Sequence, residues 1–273
     1  MQIRLNKFKD GKPKAMTMSY DDGVRQDIRL VEIFNKYGIK GTFHLNSGNL
    51  TDAYDPHSRC LSKAEVASVY KGHEVAMHTC THPDPLAVSQ QCWVNEILND
   101  KRALEQLCGS IVRGISYPFG TVTRQAAETA QTLGVEYART VKSSEGFSIP
   151  ADFMHWDPTA HHSEEILEKG QDFLNMQQDW QPWLLYIWGH AYEFDNADAN
   201  GWTMIEDFCR LVGGRPEIWY ATNIEIVDYI NAQRNLRFSA DESLVFNPTA
   251  LDVWISVDAK TVCIPAGQTV HLG

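Results

Sequence analysis

Residues 15–38 read AMTMSYDDGVRQDIRLVEIFNKYG. AMTMSY is a run of strand length, and two aspartates and a glycine follow it. Then Ile28, Val31, Phe34 and Tyr37 recur at helical spacing until Gly38 supplies a stop. A strand passed directly to a helix, with carboxylates at the joint, is the unit from which parallel sheets are built.

The unit repeats along the chain. IKGTFHLN (39–46) reads as the next strand. LSKAEVASVYKG (61–72) reads as a helix opened by a capping box, Ser62 with Glu65 three residues on. HEVAMH (73–78), IVRGISYP (111–118), VEYART (135–140) and WLLYIWGH (183–190) are further strands. VSQQCWVNEILNDKRALEQLCG (88–109), TRQAAETAQTLG (123–134), SEEILEKGQDFLNMQ (163–177) and TNIEIVDYINAQ (222–233) are helices. About seven such pairs suit an α/β barrel of parallel strands better than an open sheet. This pattern defines a barrel over residues 1–234. From residue 235 to 273 apolar residues alternate between the turn signals SADES, NPTA, VDAK and PAGQ. That tail reads as a small antiparallel β appendage packed on the barrel.

Composition narrows the function. The chain has 273 residues, 43% hydrophobic and 22% charged, enough for a sizeable core. Lys plus Arg number 24 against 35 Asp plus Glu, a net charge of −11 that argues against a nucleic-acid partner. No GxGxxG or P-loop supports nucleotide binding. MQIRLNKFKDGKPK at the N-terminus lacks the apolar core of a signal peptide, and no apolar run approaches twenty residues, so the expectation is a cytoplasmic protein without a membrane partner. The six cysteines form no CxxC pair and are expected reduced.

In a parallel barrel, chemistry collects where strands end. Asp21, Asp22 and Gly23 follow the first strand, and His78, Thr79 and His82 follow HEVAM. Tyr117, Pro118, Phe119 and Gly120 follow IVRGIS, HWDPTAHH occupies 155–162, and Gly189 and His190 end WLLYIWGH. Each has an ordinary structural reading: Asp-Asp-Gly as a helix-entry turn, a histidine pair as surface polarity, YPFG as a turn, His190 as a satisfied core histidine. Turns alone give no reason to gather two carboxylates and three histidines on one rim. Cys80 lies inside the histidine motif, but its side chain would point away from His78 on a helical segment. One carboxylate with two imidazoles makes a three-ligand metal site with open positions. A second carboxylate can take a proton from water, a histidine opposite can protonate a leaving group, and backbone N–H groups of a Pro-Phe-Gly turn can hold an oxyanion.

These stretches resemble the motifs of the NodB-type polysaccharide deacetylases, a family of carbohydrate esterases. SYDDG is similar to that family's TFDDG, and MHTCTHPD to its H-[ST]-x-x-H motif with the following Pro and Asp. YPFG is similar to the end of its third motif, WLLYIWGH to its last, and IKGTFHLN stands where the family has ATFF. The resemblance covers about residues 13–230. It implies a distorted (β/α) barrel and one divalent cation, zinc first, with cobalt, nickel, manganese and iron as alternatives. It implies removal of acetyl groups from N- or O-acetylated sugars. Asp21 would be the general base, Asp22, His78 and His82 the metal ligands, and His190 the general acid. Phe119 N–H would lie in the oxyanion hole beside Tyr117. The family's third-motif arginine, which orients the base, is replaced by Ser116, with Arg113 three residues earlier as the candidate substitute. Asp157 is the candidate to orient His190. The acidic stretch AYEFDNADANGW (191–202), with Glu193 and Asp195, reads as a solvated loop.

Two other functions fit the same residues. One is hydrolysis of a small amide such as a cyclic ureide on the same fold. The other is carbohydrate binding without catalysis, using tryptophans such as Trp156, Trp183, Trp188 and Trp202. A cytoplasmic enzyme would meet sugar fragments rather than assembled cell wall.

Overall fold

The computed structural model describes residues 1–177, 179–196 and 201–273. In chain order the elements are β1 (Ile3–Arg4), β2 (Lys14–Asp21), α1 (Asp27–Tyr37), β3 (Gly41–Leu45), α2 (Lys63–Val69), β4 (Glu74–Met77), α3 (Gln90–Cys108) and β5 (Gly114–Ser116). There follow α4 (Arg124–Thr132), β6 (Tyr137–Arg139), β7 (Ala160–His161), α5 (Ile166–Asn175), β8 (Trp183–Gly189), α6 (Glu193–Asn196), α7 (Gly201–Val212), β9 (Ile218–Tyr220) and α8 (Asn223–Arg234). The chain ends with β10 (Arg237–Phe238), β11 (Leu244–Phe246), β12 (Val253–Val257), β13 (Lys260–Ile264) and β14 (Thr269–His271).

The sheet grows outward from β2, all eight residues of which are buried. Such a strand is covered on both faces, which explains its unbroken run in place of alternation. One edge of β2 pairs with β8 along its length, and the other pairs with β9 near its start and β3 near its end, all parallel. The path runs β6-β5-β4-β3-β2-β8-β7. A parallel bridge from Arg139 to Trp156 brings the segment entering β7 beside β6 and curls the two ends of the path together. The result is the distorted (β/α) barrel that the strand–helix alternation implies.

Local signals explain the helix limits. α1 stops where Gly38 turns left-handed at φ 67°. The capping box of Ser62 and Glu65 opens α2, and a second, Thr222 with Glu225, opens α8. Three barrel elements, α7, β9 and β7, have no counterpart among the strands and helices read from the sequence. α7 buries Ile205, Phe208, Cys209 and Val212, an i, i+3, i+4, i+7 stripe. β9 and β7 are too short for a periodicity to register.

β10, β11 and β14 form one antiparallel sheet, and β1, β12 and β13 another, so the N-terminus is woven into the C-terminal strands. Val245, Val253, Ile255 and Ile264 bury their side chains there together with Ala232 of α8. Among the described residues no helix is long and apolar enough to cross a membrane.

Candidate active site

Because the strands are parallel, Asp21, His78, Ser116, Arg139, His161 and His190 all emerge at one rim. Of these, Asp21, His78, His161 and His190 line a cleft of about 720 Å³ together with Asp22, Arg59, His82, Tyr117, Phe119, Trp188, Tyr192 and Glu193, while Ser116 and Arg139 lie buried behind it. That is ample for a sugar-sized ligand.

Asp21, the last residue of β2, is only 2% exposed. Burial alone would raise its pKa, but the Arg139 guanidinium, helped by His78 and His44, holds it well below the usual carboxylate range. Arg139 donates from Nη2 to Asp21 Oδ2, Ser116 Oγ donates to Oδ1 at 3.2 Å, and His44 Nδ1 lies 3.4 Å from Oδ1. Asp22 has the opposite environment. Burial, with the charge of Asp21 beside it, pushes its pKa up against the pull of His190, Arg59 and His82. Its open side meets Arg59 Nη2 at 2.9 Å.

His78 is buried, and burial, reinforced by His82 and Arg139, brings its pKa down to about 3 despite Asp21. It is therefore neutral. Its Nδ1 lies 2.9 Å from the Ser116 carbonyl and 2.6 Å from Ser116 Oγ, which fixes the proton on that side. Nε2 then turns its lone pair toward Asp22 Oδ1, 3.8 Å away. The His78 backbone N–H is held by Asp100 of α3 at 3.1 Å. The motif that follows is not helical. Thr79 at φ 65° and His82 at φ 61° fold the loop back so that the two imidazoles meet edge to face, centroids 4.6 Å apart. Cys80 turns instead toward Ser47.

Ligand atoms of Asp22, His78 and His82 all lie within 4.8 Å of one another. A neutral imidazole whose other nitrogen is tied to a backbone carbonyl is the usual preparation of a metal ligand. The three residues fit a divalent cation on that ground. Asp22 (φ 80°) and Phe119 (φ 59°) join Thr79 and His82 as non-glycine residues in the left-handed region, so four of them ring this cleft. Each such residue costs of order 1–3 kcal/mol and persists only where its surroundings hold it.

Phe119 is 64% exposed, and its ring packs on His82 at 4.6 Å. Among the described residues none accepts a hydrogen bond from its N–H, which leaves that donor free at the cleft. Tyr117 is different: its N–H is taken by Arg139 O and its hydroxyl by Met154 O, so it forms a wall and has no donor left for a substrate.

Two orienting residues expected from the sequence lie elsewhere. Arg113 precedes β5 at the opposite end of the barrel, where it forks onto Asp228 and meets Glu136 at 2.8 Å. A strand's length separates it from Asp21, and Arg139, at the rim end of the neighbouring strand, is the arginine that holds Asp21. Asp157 accepts from Thr140 Oγ1 and faces Lys142. Glu193 stands beside His190 in its place, 3.3 Å from Nδ1. Of the acidic stretch 191–202, residues 197–200 lie outside the described residues, while Glu193 opens α6 and points into the cleft. Arg139 was legible by the rule applied to the other strands, a polar residue at the end of VEYART. His44 and Glu193 had no such signal.

With this geometry in view, the chain's relatives can be placed. Residues 8–138 match the family model described as polysaccharide deacetylase. That matched stretch, just under half of the chain, carries the Asp21-Asp22-Gly23 and His78/His82 motifs on which the resemblance to the NodB-type deacetylases rests. It is 23% identical over 123 residues to a chitin deacetylase of Pestalotiopsis sp, which is 45% of this chain and 40% of that one. It is 27% identical over 124 residues to a chitooligosaccharide deacetylase of Sinorhizobium fredii, 44% of this chain and 54% of that one. The matches thus span about half or less of these curated relatives. Among solved structures, a Mycobacterium smegmatis protein assigned to the polysaccharide deacetylases superposes with a TM-score of 0.62 at 16% identity, covering 85% of this chain and 94% of that one. A family 4 carbohydrate esterase of Streptomyces lividans gives 0.51 at 14% identity, covering 77% and 93%. These two show the fold.

Proposed function

We propose that this chain is a metal-dependent hydrolase that removes acetyl groups from N- or O-acetylated sugars. The observation that carries the reading is the pair Asp21 and Asp22. They are adjacent in sequence and lie in opposite electrostatic environments, one locked anionic by Arg139 and one beside two neutral-capable imidazoles. Two titratable groups pushed apart in this way mark a division of roles. The relatives named for chitin and chitooligosaccharide deacetylation support saccharide as the substrate class.

A divalent cation held by Asp22, His78 and His82, zinc being the first expectation, supplies the Lewis acidity that polarises an acetyl carbonyl and lowers the pKa of water. The protein supplies the rest. Asp21 accepts the proton of the attacking water, and its hydrogen bonds from Arg139 and Ser116 aim its free lone pairs into the cleft. Phe119 N–H offers a hydrogen bond to the developing oxyanion, presented by a strained turn that needs no rearrangement. His190 gives a proton to the departing amine or hydroxyl. Burial disfavours the imidazolium, but the Glu193 hydrogen bond with the charges of Asp21, Glu193 and Asp22 outweighs it and raises the His190 pKa.

The test is acetate release by zinc-loaded protein across N- and O-acetylated oligosaccharides, with and without chelator. Asp21→Asn should keep its metal and lose turnover by ~10²–10⁴-fold. Asp22→Ala and His78→Ala should lose the metal itself. Equal metal content in all of these variants would sink the ligand assignment. Absence of acetate release alongside cleavage of a small cyclic amide would replace the substrate class.

A further inference from the structure

Three histidines converge on a single carboxylate in the wall of the cleft. His161 ends β7 and His162 follows it, His190 follows β8, and Glu193 opens α6. Glu193 Oε2 lies 3.1 Å from His161 Nε2, 3.0 Å from His162 Nε2 and 3.2 Å from the His190 backbone N–H. Its other oxygen, Oε1, lies 3.3 Å from His190 Nδ1.

The protons can be placed. The Ser163 backbone N–H points at His161 Nδ1, so that nitrogen accepts and the ring carries its proton on Nε2, facing Glu193. His162 is buried, packed at 4.4 Å on Phe194 and stacked at 5.8 Å on Tyr20. It reaches this position only because residue 189 is glycine: a Cβ there would meet His162 Nδ1 at 2.0 Å. The backbone of β8 has thus been pared to admit a histidine whose one polar contact is Glu193.

Resting on the deacetylase reading, we infer that Glu193 is the positioning residue for His190, and that His161 and His162 serve to hold Glu193. With Oε2 held by the His190 N–H and facing both imidazole nitrogens, the carboxylate is kept in place, and Oε1 stays within ion-pair distance of His190 Nδ1, 3.3 Å away. That leaves His190 Nε2 to face the substrate. The shared carboxylate also sets the acid's strength. Every N–H that draws on its charge weakens its hold on the imidazolium, so the two flanking histidines act in opposition to Glu193. The other groups facing His190 are Asp21 and Asp22 from the end of β2, Trp188 of β8, and Tyr192, over which Arg59 lies at 4.7 Å.

The experiment compares Glu193→Gln and His161→Phe with the unaltered zinc-loaded chain. Glu193→Gln should lower kcat ~10–100-fold, the usual cost of losing an outer orienting partner, with KM within about twofold. Its alkaline pH limb should move to lower pH. His161→Phe should lower kcat less and move that limb the other way. Both should keep one equivalent of metal. A loss of kcat with the limb unmoved in either variant would reduce Glu193 to a packing role and overturn the inference. So would a second bound metal equivalent that disappears in His161→Phe, since the cluster would then be a cation site. Histidine NMR titration of the metal-free chain gives an answer that needs no activity. His190 must titrate lower in Glu193→Gln, and an unchanged titration overturns the inference even if the deacetylase reading stands. A wild-type chain with no deacetylase activity but with the expected His190 shift would sink the function and leave the positioning role intact.

Discussion

The barrel buries a carboxylate at each end, and the two are in opposite states. At the rim that carries the cleft, Asp21 faces the guanidinium of Arg139 and is held anionic despite burial. At the other end, Glu74 opens β4 among neutral donors only: Thr42 Oγ1 at 2.9 Å, Tyr137 Oη at 2.7 Å and the Ile224 N–H at 2.9 Å. Burial, against those hydrogen bonds, pushes the Glu74 pKa up to about 7. Hydrogen bonds from uncharged groups satisfy a buried carboxylate without keeping it ionised, whereas a buried counter-charge does. The first arrangement joins β3, β4, β6 and α8 at one end of the barrel, and the second keeps an ionised carboxylate beside the cleft at the other.

The strongest way to break this contrast is to remove the counter-charge. Arg139 is fully buried and lies 4.3 Å over the Trp188 ring. Arg139→Met leaves Asp21 buried and unpaired, which should cost about 3–5 kcal/mol of stability in denaturant unfolding. It should also raise the Asp21 pKa and suppress turnover at neutral pH. A stability loss under about 1 kcal/mol would mean that Asp21 does not depend on this pair.

A smaller effect separates the two carboxylates by pH. Glu74 ionises near 4.5 in an unfolded chain and near 7 in the fold. Below 4.5 both states hold the proton and its contribution to stability is complete. As pH rises toward 7 the unfolded chain releases the proton first, so stability falls across that window and levels off above it. Glu74→Gln keeps the acceptor for Thr42 and should flatten that fall when unfolding is followed from pH 4 to 8. An unchanged slope would assign it to other groups.

The smallest effect concerns the other arginine. Arg113 is half-buried, and its ion pairs with Glu136 and Asp228 are open to solvent. Arg113→Gln should cost about 1 kcal/mol or less and leave acetate release unchanged. A large loss of turnover would return Arg113 to the active site.

Much of this molecule was determined by its sequence alone. Strands and helices of opposite periodicity, from AMTMSY to TNIEIVDYINAQ, required parallel strands joined by crossover helices, and parallel strands place their ends on one rim. The residues following the apolar runs, Asp21, Asp22, His78, His82 and His190, therefore had to meet, and they line one cleft. α7 was legible too, since its buried residues keep helical spacing. Only the tertiary structure decided which partners finish the site. Arg139 closes its strand and Arg113 precedes its own, which the sequence could distinguish, but only the pairing of strands shows that Arg139 meets Asp21 and Arg113 meets Asp228. His44 reaches Asp21 across adjacent strands, and Glu193 reaches His190 through a turn that no periodicity encodes. Periodicity is a local property of the chain, whereas the approach of charged groups depends on which strands lie side by side and in what register.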